Sequence, residues 1–305
     1  AKASRAAPGH NPARDWGNVT TPSFRMVETR PFVWYRTCAM RLFDAHCHMQ
    51  DSRFDFGRDG ALTRARDAGV RRMLCCGTAE SDWRQVSGLC ARHSAIAPAF
   101  GLHPWYVRGK SANWMTALTD LLVGEPAAAV GEIGLDHAIK ERHDDEQAEV
   151  FTAQLRLARA LERPASIHCR KAWESIVGIM DGMGGLSAGF MLHSYSGPVE
   201  MIPVLAEMGA YFSFSGSITR HRNERGHAAA VAVPLDRLLI ETDSPDLTPV
   251  LPQAAGAPPQ PETPNEPANL VYILKAVAEL RKTSEAELAE VTWDNACRLF
   301  GSGNN

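Results

Sequence analysis

Short apolar runs recur along the chain and predict eight strands. From residue 41 onward these runs follow one another at intervals of about 20 to 35 residues, with helix-compatible segments between them. The predicted strands cover 41–46, 70–76, 96–102, 128–135, 165–168, 189–193, 210–214 and 237–242. This regular β/α alternation is typical of a parallel sheet, and eight repeats predict an α/β fold of the (β/α)8 TIM barrel type.

Segments with helical periodicity lie between these strands. The clearest are 59–68, 81–93, 141–161, 199–208 and 223–231. Two further helices, predicted at 266–281 and 284–299, follow the last strand and would complete the barrel wall. The stretch 249–267 between strand and helix contains seven prolines, so we expect an extended loop there and not a second domain.

The first 40 residues differ from the rest in composition. They contain scattered Arg, Pro and Ser and no sustained apolar period, which predicts a disordered or transit-like leader. A single barrel domain is then expected over 41–301. The protein would be cytoplasmic, or organellar if residues 1–40 are a transit peptide.

Composition and charge limit the possible partners. The chain of 305 residues has a formal net charge of −3, which argues against a broadly basic nucleic-acid-binding surface and leaves room only for a local one. Its 7 cysteines form an odd set without a Cys-x-x-Cys spacing, which favours free thiols in a reducing compartment. No apolar run approaches the roughly 20 residues of a membrane span, so no membrane partner is expected. The sequence does not indicate an oligomeric state.

Histidines and carboxylates stand at the ends of several predicted strands. The candidates for metal binding are His46, His48, Glu132, His168, His193 and Asp243. Strand ends meet at one mouth of a barrel, and alternation along a strand directs both His46 and His48 to the same face. A lone histidine on an apolar strand is usually structural, and an N-cap is the alternative for Asp243. Their recurrence on several strands favours a metal centre.

Glu132 has a special place in this set. It follows an apolar run with no positive charge nearby, and a buried carboxylate is costly unless it meets a cation. A carboxylate can bridge two metal ions, which is the role we expect for Glu132. Histidine ligands suit Zn, Mn or Co, whereas carboxylates and phosphate suit Mg, so the identity of the two divalent ions stays open.

Seven motifs in register resemble one known family. They read Asp44-x-His-x-His, Gly101-Leu-His-Pro, Gly131-Glu-Ile-Gly-Leu-Asp, His168-x-Arg, His193-x-Tyr-Ser-Gly, Glu241-Thr-Asp-Ser-Pro and Asn265-Glu-Pro-Ala-Asn. In this order they resemble the TatD-related deoxyribonucleases, which belong to the amidohydrolase-like barrels. The resemblance covers about 41–301. It implies a two-metal phosphodiesterase acting on DNA, commonly as a 3′–5′ exonuclease on single strands or 3′ ends.

The resemblance also implies roles for individual residues. One metal ion would be bound by His46, His48, Glu132 and Asp243, and the other by Glu132, His168 and His193. Asp243 would accept a proton from a metal-activated water, with Glu132 as the second catalytic group. The residues expected at the substrate are His103, Arg170, Glu241 and Tyr195. Glu241 could instead orient a ligand from behind.

Two other functions fit the same barrel. An amidohydrolase-like ester or amide hydrolase, such as an aminoacyl-tRNA deacylase, would keep the metals and change the substrate. Many of those enzymes bridge their metals with a carbamylated lysine, and Glu132 at this position favours the nuclease-like branch. A non-catalytic binding protein would be expected to lose ligands, and none is lost. Residues 244–274 contain no Lys or Arg, unlike the usual family pattern, so weaker DNA-backbone binding is expected there.

Overall fold

Eight parallel strands in chain order form a nearly closed barrel, as predicted. The structure is a computed structural model and describes residues 40–252 and 264–301. The strands are β1 (Leu42–Cys47), β2 (Val70–Cys76), β3 (Ile96–Phe100), β4 (Ala129–Asp136), β5 (Ala165–Arg170), β6 (Phe190–Leu192), β7 (Ala210–Phe214) and β8 (Leu238–Ile240). All seven pairings between successive strands are parallel, because a helix returns the chain after each strand.

Helices surround this sheet. They are α1 (Arg58–Asp67), α2 (Glu80–Arg92), α3 (Trp114–Gly124), α4 (Asp144–Ala160), α5 (Trp173–Met183), α6 (Ile202–Glu207), α7 (Glu224–Ala232), α8 (Leu270–Arg281) and α9 (Glu285–Phe300). Two of them, α3 and α5, were not among the predicted helices. Ala172 before α5 has no side chain that can cap a helix, so the usual start signal is missing there, and Asn113 before α3 makes no capping hydrogen bond through its side chain.

The barrel interior is filled by small and apolar side chains. Its buried residues are Phe43, Ala45, Leu74, Cys76, Ala97, Ala99, Ala129, Met191, Tyr211 and Leu239. The end of α9 packs into the same cluster through Ala296, Leu299 and Phe300, with the rings of Phe43 and Phe300 centred 6.4 Å apart. Since Phe43 lies near the start of β1, α9 closes the amino-terminal end of the barrel.

Two β-bulges interrupt the register near the opposite end. On β1, Asp44 and Cys47 are three positions apart in the chain, whereas their partners Met73 and Cys75 on β2 are two positions apart. On β4, Val130 and Ile133 bracket a similar irregularity against β5. A bulge inserts one residue and re-aims the side chains beyond it. The bulge on β1 lies beside His46, and the one on β4 contains Glu132.

Some predictions concern residues beyond this description. Apart from Met40, the predicted leader 1–40 lies outside the described residues, as do 253–263 of the proline-rich loop. The extent of the single domain and the compartment therefore stay predictions. Among the helices of the described ranges, none combines the length and apolarity that a membrane crossing requires.

Candidate metal centre

Glu132 lies between two groups of histidines at the carboxyl end of the barrel. Its Oε2 atom is 3.4 Å from the Nε2 atoms of both His46 and His48. Those two nitrogens are 3.2 Å apart, and Asp243 Oδ1 lies 3.7 Å from the first and 3.4 Å from the second. Three side chains of this group, from His46, His48 and Asp243, have ligand atoms close enough to share one ion.

The other oxygen of Glu132 faces the second group. Its Oε1 atom is 3.0 Å from His168 Nδ1 and 2.8 Å from His193 Nε2, and these two nitrogens are 3.1 Å apart. The structure thus brings together all six residues selected from the sequence. Their individual roles as ligands stay predictions, while the group as a whole has the chemistry to bind metal ions.

Hydrogen bonds on the far side of each imidazole fix how the rings of the first group are turned. His48 Nδ1 lies 2.8 Å from the carbonyl oxygen of Cys76, to which it donates, so its Nε2 lone pair is directed into the site. His46 Nδ1 is 2.9 Å from Ser166 Oγ. Such outer contacts are typical of metal-binding histidines, because they set the tautomer and hold the ring in place.

Carboxylates lie on the far side of both rings in the second group. Asp136 Oδ2 is 3.2 Å from His168 Nε2 and also accepts a hydrogen bond from the indole nitrogen of Trp105 at 2.7 Å. Glu241 Oε1 is 3.5 Å from His193 Nδ1 and accepts the backbone N–H of Ser194 at 2.6 Å. Both carboxylates are fully buried.

The charge balance around Glu132 favours a bound cation. Glu132 is only 3 % exposed, and its ion-pair partners among the described residues are all histidines. Burial acts to raise the pKa of Glu132, but His193, His103 and His46 outweigh it and hold that pKa well below its ordinary value. Imidazole lone pairs facing a buried carboxylate are the donor set that a divalent ion completes, so the residues fit such an ion.

The backbone next to the ligands adopts unusual conformations. Asp243 and Ser194 have positive φ values of 54° and 46°, which side-chain-bearing residues rarely adopt. Gly134 on β4 has a φ of +148°, and a Cβ atom there would lie 1.9 Å from the carbonyl oxygen of His168. A glycine is therefore required beside the second histidine group. Such positions cluster at functional sites.

His103 stands beside the histidine groups with its ring oriented by the backbone. Its Nε2 atom is 3.4 Å from Glu132 Oε1, while its Nδ1 atom accepts the N–H of Trp105 at 3.1 Å. Burial lowers the pKa of His103 to about 4, so the ring is neutral near pH 7. A neutral ring that accepts at Nδ1 carries its proton on Nε2, which makes His103 a hydrogen-bond donor toward the site.

The three other predicted substrate residues differ in position. Arg170 ends β5 with an exposed side chain. Glu241 is fully buried behind His193, which favours the alternative that it orients this ligand. Tyr195 is 3 % exposed and its hydroxyl donates to the carbonyl of Pro198 at 2.7 Å, so the structure gives it a packing role. Its contact with substrate stays a prediction.

Some residues of this site were not selected from the sequence. Asp136 belongs to the Gly-Glu-Ile-Gly-Leu-Asp motif, and its place at the end of β4 was the available signal. Gln147 is fully buried on α4, where its amide pairs with both backbone groups of Asp136 at 2.8 and 3.2 Å. Gln154, two turns further along α4, pairs in the same way with Leu102 at 2.7 and 3.1 Å. The sequence pattern around a glutamine in a helix does not indicate that the residue is buried or which backbone groups it contacts.

The fold and the site define a (β/α)8 barrel hydrolase whose candidate metal-binding residues stand at the carboxyl ends of the strands. The sequence profile of the family described as TatD related DNase matches residues 43–301. The chain belongs to this family. It is 31 % identical over 259 residues to the "uncharacterized metal-dependent hydrolase YabD" of Bacillus subtilis, covering 85 % of this chain and 98 % of that protein. It is 32 % identical over 264 residues to the "3'-5' ssDNA/RNA exonuclease TatD" of Escherichia coli K12, covering 85 % and 99 %.

Solved structures agree with this assignment. The crystal structure of YJJV, a TatD homolog from Escherichia coli K12, superposes with a TM-score of 0.77 at 27 % identity, covering 86 % of this chain and 98 % of that one. A TatD family hydrolase from Entamoeba histolytica has a TM-score of 0.74 at 18 % identity, covering 85 % and 98 %, and supports the fold alone.

Proposed function

We propose that this protein is a divalent-metal-dependent nuclease that hydrolyses phosphodiester bonds of single-stranded DNA, removing nucleotides from the 3′ end. The position of Glu132 carries the proposal. Each of its two oxygens faces a different pair of histidines, at 3.4 Å for both members of one pair and at 3.0 and 2.8 Å for the other. A carboxylate so placed suits two cations that share it, which is the arrangement used for in-line displacement at phosphorus.

Several relatives support the choice of substrate. The proteins from Escherichia coli, Cronobacter sakazakii and Erwinia tasmaniensis that this chain resembles at 32 to 34 % identity are each named 3'-5' ssDNA/RNA exonuclease TatD. Their similarity extends over at least 97 % of their own length. The names include RNA, so both polymers belong in the test.

The proposed roles are cation binding by six residues and proton transfer by one of them. His46, His48 and Asp243 would hold one cation, His168 and His193 the other, and Glu132 both. Such ions would supply positive charge beside the phosphodiester oxygens and make a nearby water more acidic. Asp243, which is 9 % exposed and so within reach of solvent, accepts the proton of the attacking water.

Two further side chains act on the phosphate itself. His103 donates from Nε2 to a phosphoryl oxygen, because its Nδ1 atom is already engaged by the backbone of Trp105. Arg170, exposed at the end of β5, adds a positive charge on the rim.

The test is digestion of 5′-labelled single-stranded DNA and RNA by purified protein, first with a chelator and then with Mg, Mn or Zn added back. We expect a ladder of products shortened from the 3′ end that appears only with metal. Glu132→Gln and His168→Ala should abolish it, whereas Glu141→Gln makes the same chemical change on the surface and should not. Equal digestion by wild type and Glu132→Gln would contradict the proposal. A parallel panel of esters, amides and charged tRNA detects the deacylase alternative.

A further inference from the structure

Two large aromatic side chains next to the metal centre are exposed to solvent. Trp105 is 52 % exposed and Tyr106 is 44 % exposed, although both are among the residue types that usually bury most of their surface. They belong to the 3-10 turn Pro104–Gly109 that follows His103. Adjacent large exposed aromatic side chains are typical of a surface that binds a ligand or another molecule.

The turn that carries these rings is firmly anchored. Pro104 is buried, and Val107 is 2 % exposed and packs with Leu102 and Val150. The indole nitrogen of Trp105 donates to Asp136 at 2.7 Å. The backbone and one edge of the indole are therefore held, while much of each ring stays accessible. A rigid ring loses little entropy when a planar ligand stacks on it.

Both rings lie close to His103, and that of Trp105 also lies close to the candidate ligand His168. The ring of Trp105 is centred 5.0 Å from His103 and 6.4 Å from His168, and the ring of Tyr106 is 6.1 Å from His103. Burial, and then the carboxylates of Asp82, Asp51, Glu132 and Asp246, raise the pKa of Tyr106. A group bound at the metal centre would have these rings as immediate neighbours.

We propose that Trp105 and Tyr106 form an aromatic platform that stacks against an unpaired nucleobase next to the phosphodiester bond at the metal centre. The proposal rests on the nuclease function argued above and adds to it a subsite for the base. Single-stranded nucleic acid offers a charged backbone and planar bases, and proteins bind it by combining cationic grooves with aromatic stacking. The described residues that follow β8, 244–252 and 264–274, contain no Lys or Arg of their own, which gives stacking a larger share in binding than charge from this segment.

The platform also accounts for a preference for unpaired strands. A base within a duplex is stacked on its neighbours and hydrogen-bonded to its partner, so it does not present a free face to a protein ring. Stacking tolerates any of the bases, because each has a planar face. The site should therefore discriminate between a nucleotide with a base and one without, and only weakly among the bases.

The experiment compares oligonucleotides that carry an abasic sugar at each of the last few 3′ positions. Wild-type protein should cleave the base-bearing strand roughly 5- to 100-fold more efficiently in kcat/KM than the strand whose abasic position faces the platform. Tyr106→Ala should bring this ratio toward one, and Tyr106→Phe should keep it. Val204→Ala removes a side chain of similar exposure, 46 %, from α6 on the barrel wall and should leave the ratio unchanged.

Trp105 needs a variant that separates its two contacts. Trp105→Phe keeps an aromatic face but removes the N–H that donates to Asp136. We expect the ratio of base-bearing to abasic cleavage to persist, while overall activity falls because Asp136 is less well held. Trp105→Ala should bring the ratio of base-bearing to abasic cleavage toward one and should also lower overall activity.

Failure of the platform and failure of the nuclease function are distinguishable. If the wild type cleaves base-bearing and abasic strands equally at every position, the platform is wrong and the nuclease stands. If no strand is cleaved with any metal, the proposed nuclease function is wrong. The platform is then tested by a binding experiment. In that case oligo(dT), but not an abasic backbone of equal length, should quench tryptophan fluorescence in wild type, and Tyr106→Ala, which keeps Trp105 as the reporter, should reduce the difference. Equal quenching by both polymers refutes the platform.

Discussion

The backbone N–H of Asp243 donates a hydrogen bond to the carbonyl oxygen of His46, with the two atoms 2.9 Å apart. Next to it, the N–H of His48 donates to the carbonyl of Ser244 at 2.7 Å. These bonds join the segment that follows β8 to the carboxyl end of β1, where both present candidate ligands. Moving this segment away from β1 would therefore also withdraw Asp243 from the two histidines.

Glu241 should control metal affinity without touching the metal. Its carboxylate lies 3.5 Å from His193 Nδ1 and is fully buried. In Glu241→Gln the amide keeps the shape but loses the charge that supports the ring, so we expect metal binding to weaken about 10- to 100-fold. Titration of the metal-free protein with a metal-buffered indicator measures this. Glu279→Gln on the exposed face of α8 is the control, and equal affinities for the two variants would contradict the orienting role.

The two buried glutamines of α4 allow a matched comparison. Gln147→Met should leave the backbone N–H and carbonyl of Asp136 without partners, at a cost of roughly 1–3 kcal/mol for each orphaned group. Gln154→Met should cost a similar amount by the same loss at Leu102. Only Gln147→Met disturbs the carboxylate that faces His168, so only it should weaken metal binding as well. Urea unfolding and metal titration of both variants provide the comparison.

Asp44 should make the stability of the metal-free protein fall as the pH rises. Burial raises the pKa of this carboxyl to about 8, whereas in the unfolded chain it is about 3.9. Between these values the folded state holds a proton that the unfolded state has lost, so the free energy of unfolding decreases with pH, by at most about 1.4 kcal/mol per pH unit from this group. Asp44→Asn keeps a bond to Thr242 N and cannot titrate.

The measurement is urea unfolding of both proteins at several pH values in a chelator. The advantage of Asp44→Asn over wild type should grow from pH 5 to pH 8. Asp120→Asn, an exposed position on α3, should track wild type throughout. A constant difference between Asp44→Asn and wild type across this range would show that Asp44 is ionised in the folded protein.

Phe300 should contribute to stability and not to chemistry. Its side chain is 7 % exposed and packs against Phe43 at the end of the barrel opposite to the ligands. Phe300→Ala should lower the free energy of unfolding by about 3–5 kcal/mol through the cavity it leaves. Specific activity measured well below the unfolding midpoint should match wild type. A loss of kcat in fully folded protein would mean that α9 communicates with the mouth.

The strands could be predicted from the sequence because their apolar runs are short and regularly spaced. The predicted bounds of β2 and β7 agree with the structure, and the others differ by a few residues at their ends. The convergence of His46, Glu132 and Asp243 followed from the rule that strand ends of a barrel meet. Helix α5 was not predicted because Ala172 provides no side-chain cap. The glycine at its end, Gly184, was too weak a signal alone.

The surroundings of the ligands were largely beyond the sequence. The β-bulges beside His46 and around Glu132 arise from pairing with neighbouring strands, which no local pattern encodes. The contact between Asp136 and His168 joins residues from different strands. Gln147 lies on a helix, and its role depends on how α4 docks against β4. Tertiary contacts decide these features, so they appear only when the chain is folded.

The packing of Leu299 and Phe300 against Phe43 means that the barrel has one working end. A polymer cannot pass through the barrel from one end to the other. In the nuclease proposed above, substrate would have to enter, and the released nucleotide would have to leave, at the carboxyl end of the barrel. Processivity would then depend on how quickly the product nucleotide leaves the carboxyl end of the barrel.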